Sequence, residues 1–145
     1  MTDTDTRPLN GQDIGQAELA LRAVLDDLLA DSGSTFQQWV ALNVIGDSPS
    51  VLNKDDLADR MVQILRVDDG IASSIIEGLV DLQLVDVDKG VQLTTIGKDR
   101  LGRIRAKITE IMGHLYSDVP LDDLITARRV LATLTNRANA AMSRG

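Results

Sequence analysis

Hydrophobic residues recur at three- and four-residue steps along most of this chain, a spacing that predicts amphipathic helices. The first run covers about residues 12–30 and ends at the sequence DSGS. Ser34 or Thr35 can cap a second helix, because hydroxyl side chains accept hydrogen bonds from the free N–H groups at a helix start. This second helix ends at the loop GDSPS, and its apolar face carries Phe36, Trp39, Val40 and Val44.

The next stretch predicts two short helices joined by a turn, which together form a helix-turn-helix. Asn53 is a favourable cap for the first of them, KDDLADRMVQIL. Asp68 or Asp69 can cap the second, which is expected over about residues 70–83. The apolar side of this second helix is predicted to consist of Ile71, Ile75, Leu79 and Leu82.

Alternating apolar residues after this helix predict a short β-hairpin. Val85 and Val87 precede the turn Asp88-Lys89-Gly90, and Val91 and Leu93 follow it. The glycine can take the left-handed conformation of a three-residue turn. A hairpin directly after a helix-turn-helix is the wing of a winged helix-turn-helix.

Two long helices complete the chain. The first begins at Thr94 or Thr95 and ends at about Tyr116, and the second covers about residues 121–141, after the break at SDVP. Like the first helix of the chain, each carries an apolar line that other protein must cover. Pairing with the same helices of a second copy is the economical solution. The alternative is that all three long helices fold back within one monomer.

The predicted fold class is therefore mainly α: a winged helix-turn-helix with a short β-hairpin wing and N- and C-terminal dimerisation helices. We expect a flexible N-terminus over residues 1–11 and a single domain over residues 12–145. Within this domain the winged helix covers about 35–97, and the dimerisation helices cover about 12–30 and 95–141.

This order of elements resembles the multiple-antibiotic-resistance regulator (MarR) family of bacterial transcription factors. The sequences DDLADRM, SSIIEGLVDLQLV and QLTTIGKDRL carry the resemblance. Leu84-Val85 matches the end of the family's leucine-rich helix, and Leu93-Thr94-Thr95-Ile96-Gly97 matches the Leu-Thr-x-x-Gly that closes its wing. The resemblance implies a triangular homodimer with one recognition helix per subunit in adjacent major grooves. It also implies regulation by small, often aromatic, acidic effectors bound between the dimer and DNA-binding regions.

Several residues follow from this resemblance as candidate DNA contacts. Ser73 and Ser74 lie on the expected recognition helix, and Lys89 is the one cation of the wing. Near them, Arg60 and Arg66 can hold phosphates, contacts that position a protein without specifying a sequence. For each of these side chains the alternative is an ordinary solvated surface position.

The densest basic stretch of the chain follows the wing directly, so part of it can face DNA. Successive helical residues turn by about 100°. Lys98 and Arg105 therefore fall on one line of the helix, and Arg100, Arg103 and Lys107 fall on another. We take Lys98, the residue closest to the wing, as the candidate DNA contact. A solvated helix face that balances acidic neighbours is the alternative.

The charge of the chain differs from that of a generic nucleic-acid binder, which needs Lys and Arg to neutralise phosphates. The net charge is −7, and residues 51–101 hold 6 basic against 10 acidic side chains. The expected recognition helix, GIASSIIEGLVDLQL, holds no Lys or Arg, and the wing lacks the family's Asp-x-Arg signature. Gln83 stands where the family usually has a glycine. These departures favour an alternative function, that of a winged-helix dimer without DNA binding.

Aromatic residues are scarce, and Phe36 and Trp39 lie one helical turn apart. In the resemblance they lie near the junction where effectors bind, so they are the candidate effector pocket. Anchoring their helix in the core is the alternative.

The sequence gives no support to an enzyme, a metal site or a cofactor. It contains no phosphate-binding glycine loop, no cysteine and a single histidine, His114, without a second ligand at matching spacing. No signal peptide or transmembrane span is recognisable, so a cytoplasmic location is expected. The predicted function is a homodimeric DNA-binding transcriptional regulator of MarR type that is controlled by a small aromatic or acidic effector. The alternative is a protein-interaction or ligand-binding module.

Overall fold

The computed structural model describes residues 6–143; residues 1–5, which belong to the predicted flexible N-terminus, and residues 144–145 lie outside the described part. The described elements are, in chain order, α1 (Gly11–Asp31), α2 (Phe36–Asp47), α3 (Lys54–Leu65), α4 (Asp69–Asp81), β1 (Val85–Asp86), β2 (Gln92–Leu93), α5 (Thr95–Leu115) and α6 (Leu121–Ser143). The chain divides into a first unit, up to Thr109, and a second unit, from Glu110. The predicted order of helices and hairpin is confirmed.

The start of α1 is held by a capping box. The Asn10 side chain accepts a hydrogen bond from the Asp13 N–H at 2.9 Å, and the Asp13 carboxylate accepts one from the Asn10 N–H at 3.1 Å. The Arg7 guanidinium donates to both carboxylate oxygens of Asp13 at 2.7 Å. The hydrogen bond from Arg7, with that from the Asn10 backbone, holds the pKa of Asp13 below its ordinary value.

Local capping chemistry also sets the starts of the next three helices. Thr35, not Ser34, caps α2, and Asp68, not Asp69, caps α4, while Asn53 caps α3 as predicted. Each capping oxygen accepts a hydrogen bond from the backbone N–H three residues later, at 2.7–3.1 Å. These bonds satisfy donors that the helices leave free at their starts.

The core of the first unit is aliphatic, and its centre lies between α2, α3, α4 and the hairpin. Its largest fully buried side chains are Leu29, Leu42, Leu57, Met61, Ile76, Leu79, Leu84 and Ile104. The predicted apolar side of α4 is wrong in part, because Ile71 and Leu82 are 44% and 49% exposed. The residues that α4 buries are Ala72, Ile76 and Leu79. Apolar side chains lie on more than one face of α4, so spacing alone could not select the packed face.

The wing is a two-stranded antiparallel hairpin with Val85 opposite Leu93. Val85 and Val91 are buried, and Val87 and Leu93 are partly buried, which confirms that the four residues alternate inward. Gly90 has the predicted left-handed conformation, with φ of 94°.

The wing is joined to the first turn of α5 by a compact set of contacts around Gly97. The Thr94 hydroxyl donates to the Gln83 carbonyl at 2.6 Å and accepts from the Gly97 N–H at 3.0 Å, and the Thr94 N–H donates to the Leu84 carbonyl at 3.0 Å. A β-carbon on Gly97 would lie 2.0 Å from the Leu84 carbonyl oxygen. The Leu-Thr-x-x-Gly pattern therefore has a local structural reason, which combines a helix cap with a close backbone approach.

Gln83 has a left-handed backbone conformation, with φ of 62°. This conformation is unfavourable for a side chain that carries a β-carbon by about 1 kcal/mol, and it explains why a glycine suits this position. We expect Gln83→Gly to raise the free energy of unfolding by about 1 kcal/mol, measured by urea denaturation. Gln63→Gly on the exposed side of α3 is the control and should lower it by about 1 kcal/mol. A Gln83→Gly variant that is less stable than the parent would contradict this account.

The second unit contains the end of α5 and the whole of α6. No residue of α6 is buried within the described structure. Its large exposed apolar side chains include Leu121, Ile125, Val130, Leu131 and Leu134. None of the described helices has the length and hydrophobicity needed to cross a membrane.

Candidate nucleic-acid interface

The orientation of α4 follows from which of its residues are buried. Because Ala72, Ile76 and Leu79 face the core and residues turn by about 100° per step, the opposite side carries Ser74 and Glu77 outward. Both side chains are exposed, and Asp81 follows one turn further on the same side. The outward face of the expected recognition helix therefore combines a hydroxyl with two carboxylates.

The two predicted serines are not equivalent. Ser74 is exposed, whereas Ser73 is partly buried. Ser74 lines a groove of about 630 Å³ between α4 and the start of α2. The groove is lined by Thr35, Gln37, Gln38, Asp68, Gly70, Ile71, Ser74, Ile75 and Gly78.

Two residues of this groove, Gln37 and Gln38, were not among the predicted contacts. Amide side chains both donate and accept hydrogen bonds, as base edges and phosphates require. The Gln38 oxygen already accepts the Thr35 N–H at 3.1 Å, while Gln37 is exposed. Nothing in the local sequence places the first turn of α2 beside α4, because that neighbourhood arises from tertiary packing.

The tip of the wing presents Lys89 to solvent. The Asp88 N–H donates to the Asp86 carboxylate at 3.0 Å, which shapes the turn, and Lys89 follows it as an exposed side chain. Gly90 approaches the loop before α3, since a β-carbon there would lie 2.2 Å from a methyl carbon of Val51. Lys89 therefore projects from a turn whose base is packed against the body of the first unit.

The two predicted phosphate contacts on α3 are both exposed. Arg60 lies within α3, and Arg66 is its C-cap in a left-handed conformation with φ of 57°. Neither residue lines the groove that contains Ser74. The structure brings Ser74 together with α2, but it does not gather the predicted cations around it.

The basic stretch of α5 divides between two clefts, as the helical spacing predicted. Lys98 and Arg105 line one cleft, beside the loop after α2 and β2. The other cleft, of about 140 Å³, lies next to the end of α1 and is lined by Asp31, Ser32, Arg100, Arg103 and Lys107.

Three of these five cations are already bonded within the protein. Arg103 pairs with Asp99, and Arg100 donates to the Gly33 carbonyl at 3.3 Å. Arg105 donates to the Asn43 side chain at 2.9 Å and to the Asp47 carboxylate at 2.8 Å. Within the described residues, neither Lys98 nor Lys107 has an acidic partner. Of these two cations, Lys98 lies nearer the wing, and it is free to bind an anion.

Phe36 and Trp39 contact each other on α2, with ring centroids 5.8 Å apart. The Arg22 guanidinium lies 3.4 Å from the centroid of the Phe36 ring, a cation–π contact that joins α1 to α2. Trp39 also packs against the core of the first unit. Neither aromatic residue lines the two α5 clefts or the Ser74 groove. Their role as an effector pocket stays a prediction.

Among the described residues, no three histidine, cysteine, aspartate or glutamate side chains are grouped so that they could hold a metal ion. His114 is exposed near the end of α5.

No protein-family model matches this sequence, and none of the curated proteins matches it. Solved structures do match over nearly the whole chain. The Mycobacterium tuberculosis MarR family protein Rv2887 in complex with DNA has 19% identity and a TM-score of 0.71, covering 88% of this chain and 98% of that one. Ligand-free NadR has 21% identity and a TM-score of 0.74, covering 90% and 99%. Rv2887 in complex with salicylic acid has 21% identity and a TM-score of 0.63, covering 89% and 99%. At these identities the matches establish a shared fold.

Proposed function

From its MarR-type winged-helix fold, we propose that this chain is a homodimeric DNA-binding transcriptional regulator and not an enzyme. The observation that carries the proposal is the match, over 88% of this chain, to a MarR family protein in complex with DNA. The exposed outer side of α4 and the exposed Lys89 of the wing support it, because a recognition helix and a wing must both be accessible to DNA.

In the proposed complex, the two copies of α4 enter adjacent major grooves of a short, approximately palindromic operator. Ser74 contacts a base edge or phosphate, and Lys89, Arg60 and Arg66 contact the phosphate backbone. With few cations and a net charge of −7, nonspecific binding is expected to be weak and to fall steeply with salt. Specific binding then depends on shape and on a few close contacts.

The direct test is fluorescence anisotropy with the duplex just upstream of the protein's own gene, over a range of salt concentrations. A scrambled duplex is the control. Preferential binding near physiological salt would support a sequence-specific regulator. Two results together would contradict it. The protein would bind both duplexes equally and in a salt-sensitive way, and it would also enrich no sequence from a pool of random duplexes.

We expect the double variant Ser74→Glu, Lys89→Glu to weaken binding to the operator by about 100-fold. Each substitution places a carboxylate next to DNA phosphates, and one phosphate contact is lost in every subunit. The control variant Thr109→Glu, Lys107→Glu changes the charge equally at two exposed positions of α5 that belong to neither α4 nor the wing. Equal losses for the two double variants would mean that overall charge, and not a contact at α4, determines binding.

A specific observation favours a second function, a winged-helix dimer that binds a protein or ligand instead of DNA. Within α4, Asp69, Glu77 and Asp81 are exposed and no residue is basic. Under this alternative the Ser74→Glu, Lys89→Glu variant keeps its dimer and its partner, and the parent protein binds no duplex selectively.

The proposed homodimer is supported by the apolar side chains that the chain leaves exposed on α6. Leu131 and Leu134 are 44% and 42% exposed, and they fall on the apolar line of that helix. An exposed apolar line of this kind needs to be covered by other protein, and the pairing of two copies in a symmetric dimer would cover it. We place this regulator in the cytoplasm, where a regulator of transcription in a bacterium meets its DNA.

Effector control is proposed by analogy with Rv2887, which has been solved with salicylic acid. We keep Phe36 and Trp39 as the predicted site of a small aromatic or acidic effector. Trp39 is the single tryptophan of the chain, so its fluorescence reports directly on that position. Saturable quenching by salicylate that disappears in Phe36→Ala would support the site; no quenching would count against it. The proposal requires no cofactor.

A further inference from the structure

A line of apolar residues runs along α4 on a side that the core does not use. Its members recur at steps of four, three and four residues, so they lie within about 60° of one another around the helix axis. They are Ile71, Ile75, Gly78 and the C-cap Leu82. The centre of the residues that α4 buries lies about 100° away. Ile71 and Leu82 are exposed and the other two are partly buried, so the described residues cover this line only in part.

The groove between α4 and the start of α2 is built along this apolar line. Ile71, Ile75 and Gly78 all belong to its α4 wall, and its volume is about 630 Å³. Gly78 has no side chain, so a partner can approach the backbone of α4 closely at that point. The opposite wall is the cap and first turn of α2, which supplies hydroxyl and amide groups. The groove can therefore hold apolar side chains of a partner and form hydrogen bonds at its rim.

The surroundings of the groove are acidic. Residues 67–88 contain no Lys or Arg, and their carboxylates are those of Asp68, Asp69, Glu77, Asp81, Asp86 and Asp88. Asp68 lines the groove, while Glu77 and Asp81 are exposed on the outward side of α4, across the apolar line from the buried residues. None of these groups can neutralise a phosphate, whereas all of them attract a cationic segment. Charge complementarity therefore selects a partner that is basic as well as apolar.

We propose that the groove between α2 and α4 docks a basic amphipathic segment of another protein. Apolar side chains of that segment would lie along Ile71, Ile75 and Leu82, and its Lys or Arg side chains would pair with Glu77 and Asp81. Such a segment is the partner that the second function described above requires. Because the groove forms within the first unit without DNA, docking does not depend on whether the protein also reads an operator.

The test is fluorescence anisotropy of a labelled synthetic peptide with the full chain, without DNA and near physiological salt. The probe is a capped, alanine-rich peptide in which two leucines, one helical turn apart, are flanked by arginines. One control peptide has glutamate in place of every arginine, and another has serine in place of both leucines. We expect saturable binding of the probe, no binding of the glutamate peptide, and binding of the serine peptide that is at least about tenfold weaker because apolar burial is lost.

Two outcomes with these peptides would overturn the proposal. One is the absence of probe binding. The other is equal affinity for the leucine and serine peptides, which would mean that the chain senses positive charge alone and that the apolar line of α4 takes no part.

Paired glycine variants locate the site. Apart from its chain neighbours and the nearby backbone of α4, a β-carbon on Gly78 would meet no heavy atom within 4 Å. Gly78→Arg therefore obstructs the groove and adds a repelling charge without a clash at the β-carbon. Gly102→Arg makes the same change on α5, in equally open surroundings outside the groove. We expect at least about tenfold weaker probe binding for Gly78→Arg and unchanged binding for Gly102→Arg, with circular dichroism confirming that both variants fold. Unchanged binding in Gly78→Arg would place the peptide elsewhere and overturn the assignment.

The carboxylates beside the apolar line are tested by removing their charge. Glu77→Gln, Asp81→Asn should weaken probe binding by about fivefold, since two exposed ion pairs are lost. Glu110→Gln, Asp122→Asn makes the same two chemical changes at exposed positions of α5 and α6 and should have a smaller effect. Equal losses in the two double variants would contradict pairing with Glu77 and Asp81.

Ser74→Glu separates docking from DNA binding, because its expected effects have opposite signs. The added carboxylate lies in the groove and should strengthen probe binding by about two- to fivefold, whereas it should weaken operator binding. Weaker binding of both partners would overturn docking in the groove and leave DNA binding standing. Stronger probe binding by a chain whose parent selects no duplex would support docking and contradict the first proposed function.

Discussion

Replacing Gly97 with alanine is expected to lower the free energy of unfolding by about 3 kcal/mol. The new β-carbon would lie 2.0 Å from the Leu84 carbonyl oxygen and 3.0 Å from its carbonyl carbon. Both are backbone atoms, and Leu84 is fully buried, so no side-chain rotation can relieve the contact. The start of α5 would have to move away from the wing, which would also weaken the hydrogen bonds of Thr94. Urea denaturation monitored by circular dichroism measures the change.

Gly102→Ala is the matched control, because it makes the same substitution five residues further along α5. Apart from its chain neighbours and the nearby backbone of α5, a β-carbon on Gly102 would meet no heavy atom within 4 Å. Alanine should therefore raise the free energy of unfolding by up to about 1 kcal/mol, through its better helix propensity. If both variants changed stability by the same amount, the close approach at Gly97 would not be what makes glycine necessary there.

Gly97 is an example of a feature of the fold whose physical reason could not be predicted from the sequence, although several other features could. The order of elements followed from hydrophobic spacing. The cap of α3, Asn53, was predicted directly, and the caps of α2 and α4 were each narrowed to two neighbouring residues, because a cap acts on backbone groups only a few residues away. The inward residues of the hairpin were also correct. The role of Gly97 was marked by a family pattern, but its reason is a contact with Leu84 that only the folded chain displays.

The prediction of the packed face of α4 differed most clearly from the structure. Ile71 and Leu82 were expected in the core and are exposed, while Ala72 and Ile76 are buried. A regular line of large aliphatic residues is a poor guide to the packed face of α4, because apolar residues lie on more than one face and the small residue Ala72 is among those that are buried. The correction matters for function, since it determines that Ser74 and Glu77 face outward.

Some features of the candidate sites could be predicted from the sequence and others could not, for a similar reason. The division of the α5 cations into two lines needed only helical geometry, and the two clefts confirm it. The neighbourhood of Gln37 and Ser74, and the cleft beside Lys98, depend on contacts between elements distant in the sequence. Periodicity within one helix contains no information about them.

The double variant Leu131→Asp, Leu134→Asp is expected to weaken the proposed homodimer by at least about 1000-fold. Fully burying a leucine contributes about 1.5–3 kcal/mol, and each substitution occurs twice in a symmetric dimer. The introduced carboxylates would also have to lose their hydration in the interface. Sedimentation equilibrium across the micromolar range measures the change in dimer dissociation constant.

Thr126→Asp, Thr133→Asp provides the control, because both exposed threonines lie on the side of α6 away from the line of Leu131 and Leu134. This variant should remain dimeric with the same added charge. The leucine variant should also lose operator affinity by about 100-fold or more, since a monomer cannot place two α4 helices on one duplex and the second contact loses its effective concentration. If the leucine variant were monomeric but kept full operator affinity, the dimerisation through α6 would be supported. The claim that operator binding requires the dimer would be wrong.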